Sequence, residues 1–324
     1  DIGFDGLFGG GFGAGTGLQV TMSNLTIQSG NVREDFNAGG GGFGNFARGG
    51  AIRLDGFGQA GTRGTLTLTS VIITFNQADH NTGGVFNQFA NISISSSTVS
   101  NNIGKAGPGG GLQFAASTPA TLSVSGSTFS GNEARTGPIF MGTAIDVDGG
   151  GIYATLDSNT ATITSTNFNS NISQDDGGGI YVASGATTVT GGTMAGNTAR
   201  DDGGFAAGDN DTVSAARFMT LSGVTIQGNT ANSDSSGGGD GGGVFRDRGT
   251  LNVTNCIVGS AGNPNAAVNG GGIAHAFRAA VTPSNQATIN IDNGSITANN
   301  ATTDGGGVFI NATNQNVGTP SVLN

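Results

Sequence analysis

One short phrase recurs throughout this chain and constrains its fold more than any other feature. A Ser/Thr-rich alternating segment leads into a hydrophobe-x-x-Asn turn, and a run of glycines followed by an aliphatic-aromatic pair closes the unit. Clear copies are SGSTFSGNEA with DGGGIYA, TSTNFNSNIS with DDGGGIYV, and SGVTIQGNTA with DGGGVFR. A period of roughly 20–50 residues indicates stacked units, each of which needs its neighbours to bury its apolar face.

Alternation of apolar and hydroxyl residues marks a strand with one buried face, as in Leu122–Ser125 and Ala161–Thr164. A second short strand precedes the asparagine, and a third follows the glycines, which permit positive φ at a corner. No stretch has helical periodicity. The pattern therefore predicts an all-β fold, a single right-handed parallel β-helix (β-solenoid) of about nine to ten coils, with three short strands per coil and almost no helix.

The repeat predicts one domain over residues 1–324, because a solenoid grows by adding coils and not separate cores. Residues 1–60 are a less regular, Gly/Phe-rich set of N-terminal coils or an arm. Residues 61–310 are regular coils, and residues 311–324 are a C-terminal tail or coupling segment. Longer spacings at Thr136–Asp148 and Ala231–Asp240 predict loops extruded from one corner of the coil.

Composition excludes several function classes. The net charge is -10 and Lys105 is the sole lysine, so a basic surface for nucleic acid is missing. Cys256 stands alone, which rules out an intramolecular disulfide and favours a small core residue. The chain has no run of about 18 apolar residues, so the sequence predicts no membrane-spanning helix. Because the chain starts at Asp1 without a methionine, we expect a processed chain or a piece of a longer one.

The asparagine of the hydrophobe-x-x-Asn turn recurs in nearly every unit. Asparagine tolerates left-handed backbone geometry at a turn, and its amide can bond to the same amide in the coils above and below. Coils stacked in register would align these side chains in an internal ladder. The predicted ladder consists of Asn76, Asn102, Asn132, Asn171, Asn197, Asn229 and Asn299.

An acidic residue precedes most of the glycine runs, and Asn269 holds that place in one coil. The acids are Asp148, Asp176, Asp202, Asp240 and Asp304. Stacked carboxylates repel, by about 1 kcal/mol in water and about 4 kcal/mol at an effective dielectric of 20 for charges near 4 Å. Two interpretations are open. Each Asp caps the N–H groups of the following glycines, which needs no cofactor and is favoured by the turn preference of Asp, or the column binds Ca²⁺, which takes six to eight oxygens.

The pairing of two elements also indicates a family. Gly49-Gly50-Ala51-Ile52 matches a GGA-aliphatic element, and Phe129-Ser130-Gly131-Asn132 and Phe168-Asn169-Ser170-Asn171 match Phe-x-x-Asn. This resembles the repeats of chlamydial polymorphic outer membrane proteins and related bacterial surface right-handed parallel β-helix proteins. Most other coils depart from it, with GGG for GGA and Ile, Val or Met for Phe. The resemblance implies a secreted surface protein, often an adhesin and often an autotransporter passenger.

Enzymes of the pectin-degrading kind also use this fold, so Asp175-Asp176 and Asp201-Asp202 are candidate acid–base pairs. The chain lacks the Gly-His-Gly and Arg-x-Lys that the polygalacturonases carry. Its two histidines, His80 and His275, lie about seven coils apart in the repeat. We therefore expect no enzyme, since fold alone does not confer activity.

The terminal segments carry no amphipathic helix or charged cap, although the ends of a solenoid leave strand edges unpaired. We expect an extracellular structural protein of the cell surface, whose copies stack head to tail into a fibre or filament. Its partner is then the chain itself. The alternative is an adhesin passenger that binds a host receptor or surface glycan through the extruded loops. A second alternative is a carbohydrate-active enzyme of the pectin-lyase-like fold.

Overall fold

Parallel strand pairing winds this chain into successive coils. In the computed structural model, the residues described are 19–32, 49–54, 64–88, 90–115, 120–137, 147–207, 218–231, 239–247, 249–276, 287–311 and 322–323. These residues form strands and turns without a helix, and so contain no helical membrane span. The prediction of an all-β parallel β-helix is confirmed.

The largest sheet has 17 strands in two columns, because each coil adds a strand after its glycines and then an alternating strand. The two are fused in β16 (Ile152–Thr164) and β19 (Ile180–Thr190). The other post-glycine strands are β4 (Ile52–Leu54), β8 (Val85–Asn87), β12 (Leu112–Ala115), β22 (Phe205–Ala207), β25 (Val244–Arg246), β29 (Ile273–Ala276) and β33 (Val308–Asn311). The other alternating strands are β1 (Gln19–Ser23), β5 (Thr65–Thr69), β9 (Asn91–Ser95), β13 (Thr121–Ser125), β23 (Phe218–Ser222), β26 (Gly249–Thr254), β30 (Ala287–Asp292) and β34 (Val322–Leu323).

The second sheet has nine strands, one for each coil of the described part, within the predicted range of nine to ten. Each of these strands carries the apolar residue that precedes the asparagine. They are β2 (Thr26–Gln28), β6 (Ile72–Thr74), β10 (Thr98–Ser100), β14 (Thr128–Ser130), β17 (Asn167–Asn169), β20 (Thr193–Ala195), β24 (Thr225–Gln227), β27 (Ile257–Val258) and β31 (Ser295–Ile296).

A further short strand, which the sequence pattern did not single out, follows this turn in most coils. Six such strands form a third sheet, namely β3 (Asn31–Val32), β7 (Gln77–Ala78), β11 (Ile103–Lys105), β15 (Glu133–Arg135), β18 (Ile172–Ser173) and β21 (Thr198–Ala199). Two more, β28 (Ala266–Asn269) and β32 (Asn300–Asp304), pair with each other. Thr230 bridges the two groups, since it pairs with both Thr198 and Ala266. Each coil thus has three sides, and its longest side holds two strand positions.

The core is built from columns of equivalent residues. In β13 and β16, Leu122 pairs with Ala161 and both are buried, whereas Ser123, which pairs with Thr162, faces outward. On the second sheet, the rings of Phe129 and Phe168 stack at a centroid distance of 5.1 Å and an interplanar angle of 13°. A slip of one residue would exchange the two faces of a strand, so this alternation fixes the register between coils.

Some of the predicted segments lie within the described residues and others lie mostly outside them. Residues 19–32, inside the less regular region 1–60, form the strands β1 to β3 of the first described coil. Within the tail 311–324, Val322–Leu323 adds a strand that pairs with Thr288 and Ile289. The extruded loops at Thr136–Asp148 and Ala231–Asp240 fall mostly on residues 138–146 and 232–238, which lie outside the described residues, as do the Gly/Phe-rich stretches 1–18 and 33–48.

Candidate functional site

Each asparagine lies at the corner where the chain passes from the second sheet to the third. The apolar residue three positions earlier, such as Phe168, points into the core with no exposed surface. The left-handed residue of the turn is the one before the asparagine, as at Asn101 (φ 52°) and Ser170 (φ 54°). Our interpretation of the asparagine as the left-handed residue is therefore wrong by one position. The turn uses the asparagine for its amide, and it leaves the positive φ to its neighbour.

The ladder can be followed through Asn171, which has no exposed surface. Its Oδ1 accepts the backbone N–H of Asn132 at 3.1 Å and the side-chain amide of Asn132 at 2.9 Å. Its own Nδ2 donates to Oδ1 of Asn197 at 2.9 Å and to the carbonyl oxygen of Phe129 at 3.0 Å. Both amide hydrogens and both oxygen lone pairs are used, so burial of this polar group leaves no desolvation penalty uncompensated.

The structure brings all seven predicted asparagines into this one ladder. The amide-to-amide hydrogen bonds that join them are 2.9 Å long and connect Asn76, Asn102, Asn132, Asn171, Asn197, Asn229, Asn265 and Asn299 in chain order. Asn265 was missed because residues 259–264 separate it from the strand that ends at Val258. A gap of two repeats between Asn229 and Asn299 was the signal that a rung was missing.

The ladder has two different ends in the described residues. At the N-terminal end, the backbone N–H of Gly30 donates to Oδ1 of Asn76 at 2.9 Å, in a coil whose equivalent residue has no side chain. At the C-terminal end, Asn299 donates to the carbonyl oxygen of Val258 at 2.9 Å and is partly exposed. No asparagine rung follows Asn299 within residues 300–311. Within these described residues, the donors that every earlier rung directs toward the next coil therefore have no further rung to bond to at this end.

The acids before the glycine runs also stack. Oδ1 of Asp148 accepts the backbone N–H of Asp176 at 3.1 Å, and Oδ1 of Asp176 accepts that of Asp202 at 2.8 Å. Oδ1 of Asp202 accepts the backbone N–H of Asp240 at 2.8 Å, and the side chain of Asn269 donates to Oδ1 of Asp240 at 2.9 Å. We call the four aspartates, with Asp304, the carboxylate column, in which Asn269 takes the place between Asp240 and Asp304. Asp304 pairs in register with Asn269 but is exposed at the open end.

The glycine N–H groups find their acceptors in the next coil. Gly149 donates to the carbonyl oxygen of Asp176 at 3.0 Å, and Gly150 to that of Gly177 at 3.1 Å. The predicted form of the cap, in which each carboxylate accepts from its own glycines, is therefore corrected. Asp148, Asp176 and Asp202 instead each accept the backbone N–H of the stacked acid one coil further on, a charge-assisted hydrogen bond that holds adjacent coils together.

Three carboxylates of this region lie close enough to share a cation. One oxygen each from Asp148, Asp175 and Asp176 lie within 4.8 Å of one another, with Asp148 buried and the other two half-buried. Burial raises the pKa of Asp175 to about 7, aided by the charge of Asp176 and by a hydrogen bond and the charge from Asp201, against the opposing charge of Arg200. Oxygen donors of this kind suit Ca²⁺. The predicted ligands Asp202, Asp240 and Asp304 fall outside this group of three.

The remaining reactive side chains are dispersed. His80 follows β7, near the start of the coil stack, and His275 lies on β29, so the two belong to distant coils. Cys256 is buried in the core, and this burial raises the pKa of its thiol. His275 is interior, with 1% of its surface exposed. Within the described residues, these groups do not form a nucleophile–base pair.

Comparisons with known proteins found no match, neither to a family model, nor to a curated protein, nor to a solved structure. The likeness to the chlamydial surface-protein repeats therefore stays a prediction. What the protein does has to be inferred from the asparagine ladder, the carboxylate column and the terminal coils.

Proposed function

We propose that this chain is an extracellular structural protein of the cell surface, a rod that stacks end to end into a fibre or filament. The observation that carries the proposal is the state of the terminal coils. Apolar columns that are buried along the rod continue into the first and last described coils, where they are half-buried. Such an edge, with open strands and uncovered apolar residues, is a template for a further coil.

At the C-terminal end, the last residues of three apolar columns are only half-buried. Val258 and Ile273 have no exposed surface, but their register partners Ile296 and Val308 are half-buried. Ile310 on β33 is half-buried in the same way. Asn299, which follows Ile296, is the last rung of the ladder among the described residues. A further coil would therefore bury apolar surface and complete a hydrogen-bond ladder in one step.

At the N-terminal end, the first coil has the same character. Leu66 and Ile73 are buried, and their register partners Val20 and Ile27 are half-buried. Burial of apolar surface is worth about 25 cal/mol per Å². Two such ends on one rod support head-to-tail contact, which does not close into a ring unless the rotation permits it and otherwise yields filaments.

The interior supports a mechanical role. The continuous ladder from Asn76 to Asn299 fixes each coil to the next with buried hydrogen bonds, and nine coils at about 4.8 Å each give a rod of roughly 45 Å. We assign the rod no catalytic role and no required cofactor. Its net charge of -10 is compatible with an exposed, soluble position outside the cell.

Electron microscopy of the purified chain tests the proposal. We expect filaments one coil-width thick whose length increases with protein concentration. The double variant Ile296→Glu with Ile310→Glu places charges in the half-buried columns of the last coil and should shorten or abolish the filaments. The matched control is Thr164→Glu with Thr190→Glu, on the exposed face of the large sheet, which should leave them intact. Circular dichroism confirms that each variant retains its strands.

Two results would overturn end stacking. One is single short rods at every concentration, which would favour the adhesin alternative and shift attention to the extruded loops. The other is filaments that form equally well with the charged terminal coil, which would place the contact elsewhere on the rod.

A further inference from the structure

Two ionisable residues lie at core positions near the C-terminal end. In β12, β16 and β19 the third residue of the post-glycine strand faces the interior and is the apolar Phe114, Ala154 and Val182. In β25 and β29 the same position holds Arg246 and His275. These two are register partners in adjacent coils, and each has 1% of its surface exposed.

The charged surroundings of His275 are asymmetric. On one side, β25 brings the guanidinium of Arg246, and the buried Asp247 comes directly after that strand. On the other side, β33 brings Ile310 as the register partner of His275, with no ionisable group in Val308–Asn311. Burial and the charge of Arg246 lower the pKa of His275 to about 4. At neutral pH the histidine is therefore uncharged, and the two coils pack without a second cation between them.

We propose that Arg246 and His275 form an acid-sensitive clasp, in which protonation of His275 against Arg246 separates the coil of β29 from the coil of β25. Two cations at register spacing inside the core repel strongly, and burial at 1% exposure shields the new charge from solvent. In a solenoid each coil contacts only its neighbours, so the separation stays local to the C-terminal coils. The coils before β25 keep their packing.

The direction with pH follows from linkage. The pKa of His275 is lower in the closed coil than its ordinary value of 6.5, so an open coil binds the proton first. The stability of the clasp is fully present above pH 6.5 and is lost as the pH falls from 6.5 toward 4. Between pH 7 and pH 4.5 the opening equilibrium should rise roughly fifty-fold for these two pKa values.

Cys256 is a built-in reporter of this opening. It is the single cysteine of the chain, it lies between β26 and β27 in the coil of Arg246, and 1% of its surface is exposed. Its carbonyl oxygen accepts the N–H of Ser295 from the following coil at 2.8 Å. Separation of the two coils would therefore uncover it. The full-length chain is treated with 2,2′-dithiodipyridine, which reacts with thiols in acid as well as in neutral solution. The rate is divided by that of a small free thiol at the same pH.

The normalised rate of the wild type should rise by tens of fold from pH 7 to pH 4.5. His275→Phe, which restores an apolar residue to the column, should abolish the rise, and His275→Gln serves if the larger ring disturbs the fold at pH 7. His80→Gln is the matched control, since it removes the distant histidine, and it should behave as the wild type. A wild-type rate that does not rise, or a rise that persists in the His275 variants, overturns the clasp. The measurement is independent of whether rods stack end to end.

Discussion

The side-chain amide of Asn171 donates to Oδ1 of Asn197 at 2.9 Å, although the two residues are 26 positions apart in the chain. Each such bond joins one coil to the next, and each asparagine is both donor and acceptor. The interior of the rod therefore contains one continuous polar stripe beside its apolar columns. Because the side-chain amides from Asn102 to Asn265 each bond to the rungs on both sides, the ladder stabilises one stacking register over its neighbours.

Loss of one rung should be costly. In Asn171→Ala, the backbone and side-chain donors of Asn132 and the carbonyl oxygen of Phe129 lose their partner inside the core. Each buried unsatisfied group costs about 1–3 kcal/mol, so we expect a loss of at least about 3 kcal/mol in the free energy of unfolding. Urea denaturation followed by circular dichroism measures it. Asn169→Ala, two residues away on the outer face, should change stability by less than about 0.5 kcal/mol. Equal effects of the two changes would contradict the ladder.

Replacing one buried hydroxyl, that of Thr187, with a methyl group should increase the stability of the fold. Thr187 faces the interior between Ala161 and Met219, with 2% of its surface exposed, and its Oγ1 has no hydrogen-bond partner among the described residues. Thr187→Val keeps the shape and removes the desolvated hydroxyl, so we expect a gain of about 1 kcal/mol. Thr188→Val, on the exposed face of the same strand, is the control and should change little. A thermal melt of both variants checks this, and a destabilised Thr187→Val would show that the hydroxyl has a partner.

Acid should stabilise the coils around Asp175. Its pKa is raised to about 7, mainly by burial and then by the charge of Asp176, so the folded state holds a proton that the unfolded state releases near pH 3.8. The stabilising difference is therefore largest at low pH and is lost as the pH rises from about 4 to about 7. After allowance for solvent screening, Asp175→Asn should gain about 1–2 kcal/mol over the wild type at pH 8, and little at pH 4. Melting curves of both proteins across this range measure the difference, and a constant difference would contradict it.

Calcium distinguishes the two interpretations of the carboxylate column. If Asp148, Asp175 and Asp176 hold Ca²⁺, millimolar calcium should raise the melting temperature and a chelator should lower it. The effect should be larger at pH 8 than at pH 6, because Asp175 must be ionised to act as a ligand.

The control for calcium is a change within the same column. Asp148→Asn should remove the response, whereas Asp304→Asn, exposed and outside the group of three, should retain it. If neither calcium nor chelator changes the melting temperature, the calcium interpretation is wrong. The carboxylates would then act only as acceptors for backbone N–H groups of the next coil.

Much of this architecture follows from local sequence patterns. The alternation in Leu122–Ser125 predicted which side chains enter the core, because a strand places successive residues on opposite faces. The recurrence of an asparagine three residues after Phe129 or Phe168 predicted the ladder, because a repeat of nearly constant length stacks equivalent residues. The prediction was incomplete at Asn265, where an insertion hides the repeat.

The amino-acid sequence by itself determined the parallel β-helix, the strand alternation and most of the asparagine ladder, since all of these follow from a local phrase and its period. Tertiary structure alone decided that Asp148 accepts from Asp176, that Asn265 completes the ladder, and that Arg246 faces His275 inside the core. Those relationships depend on the register between coils that are joined by connections of variable length. A period in the sequence gives the order of the coils, but only their stacking settles which atoms meet.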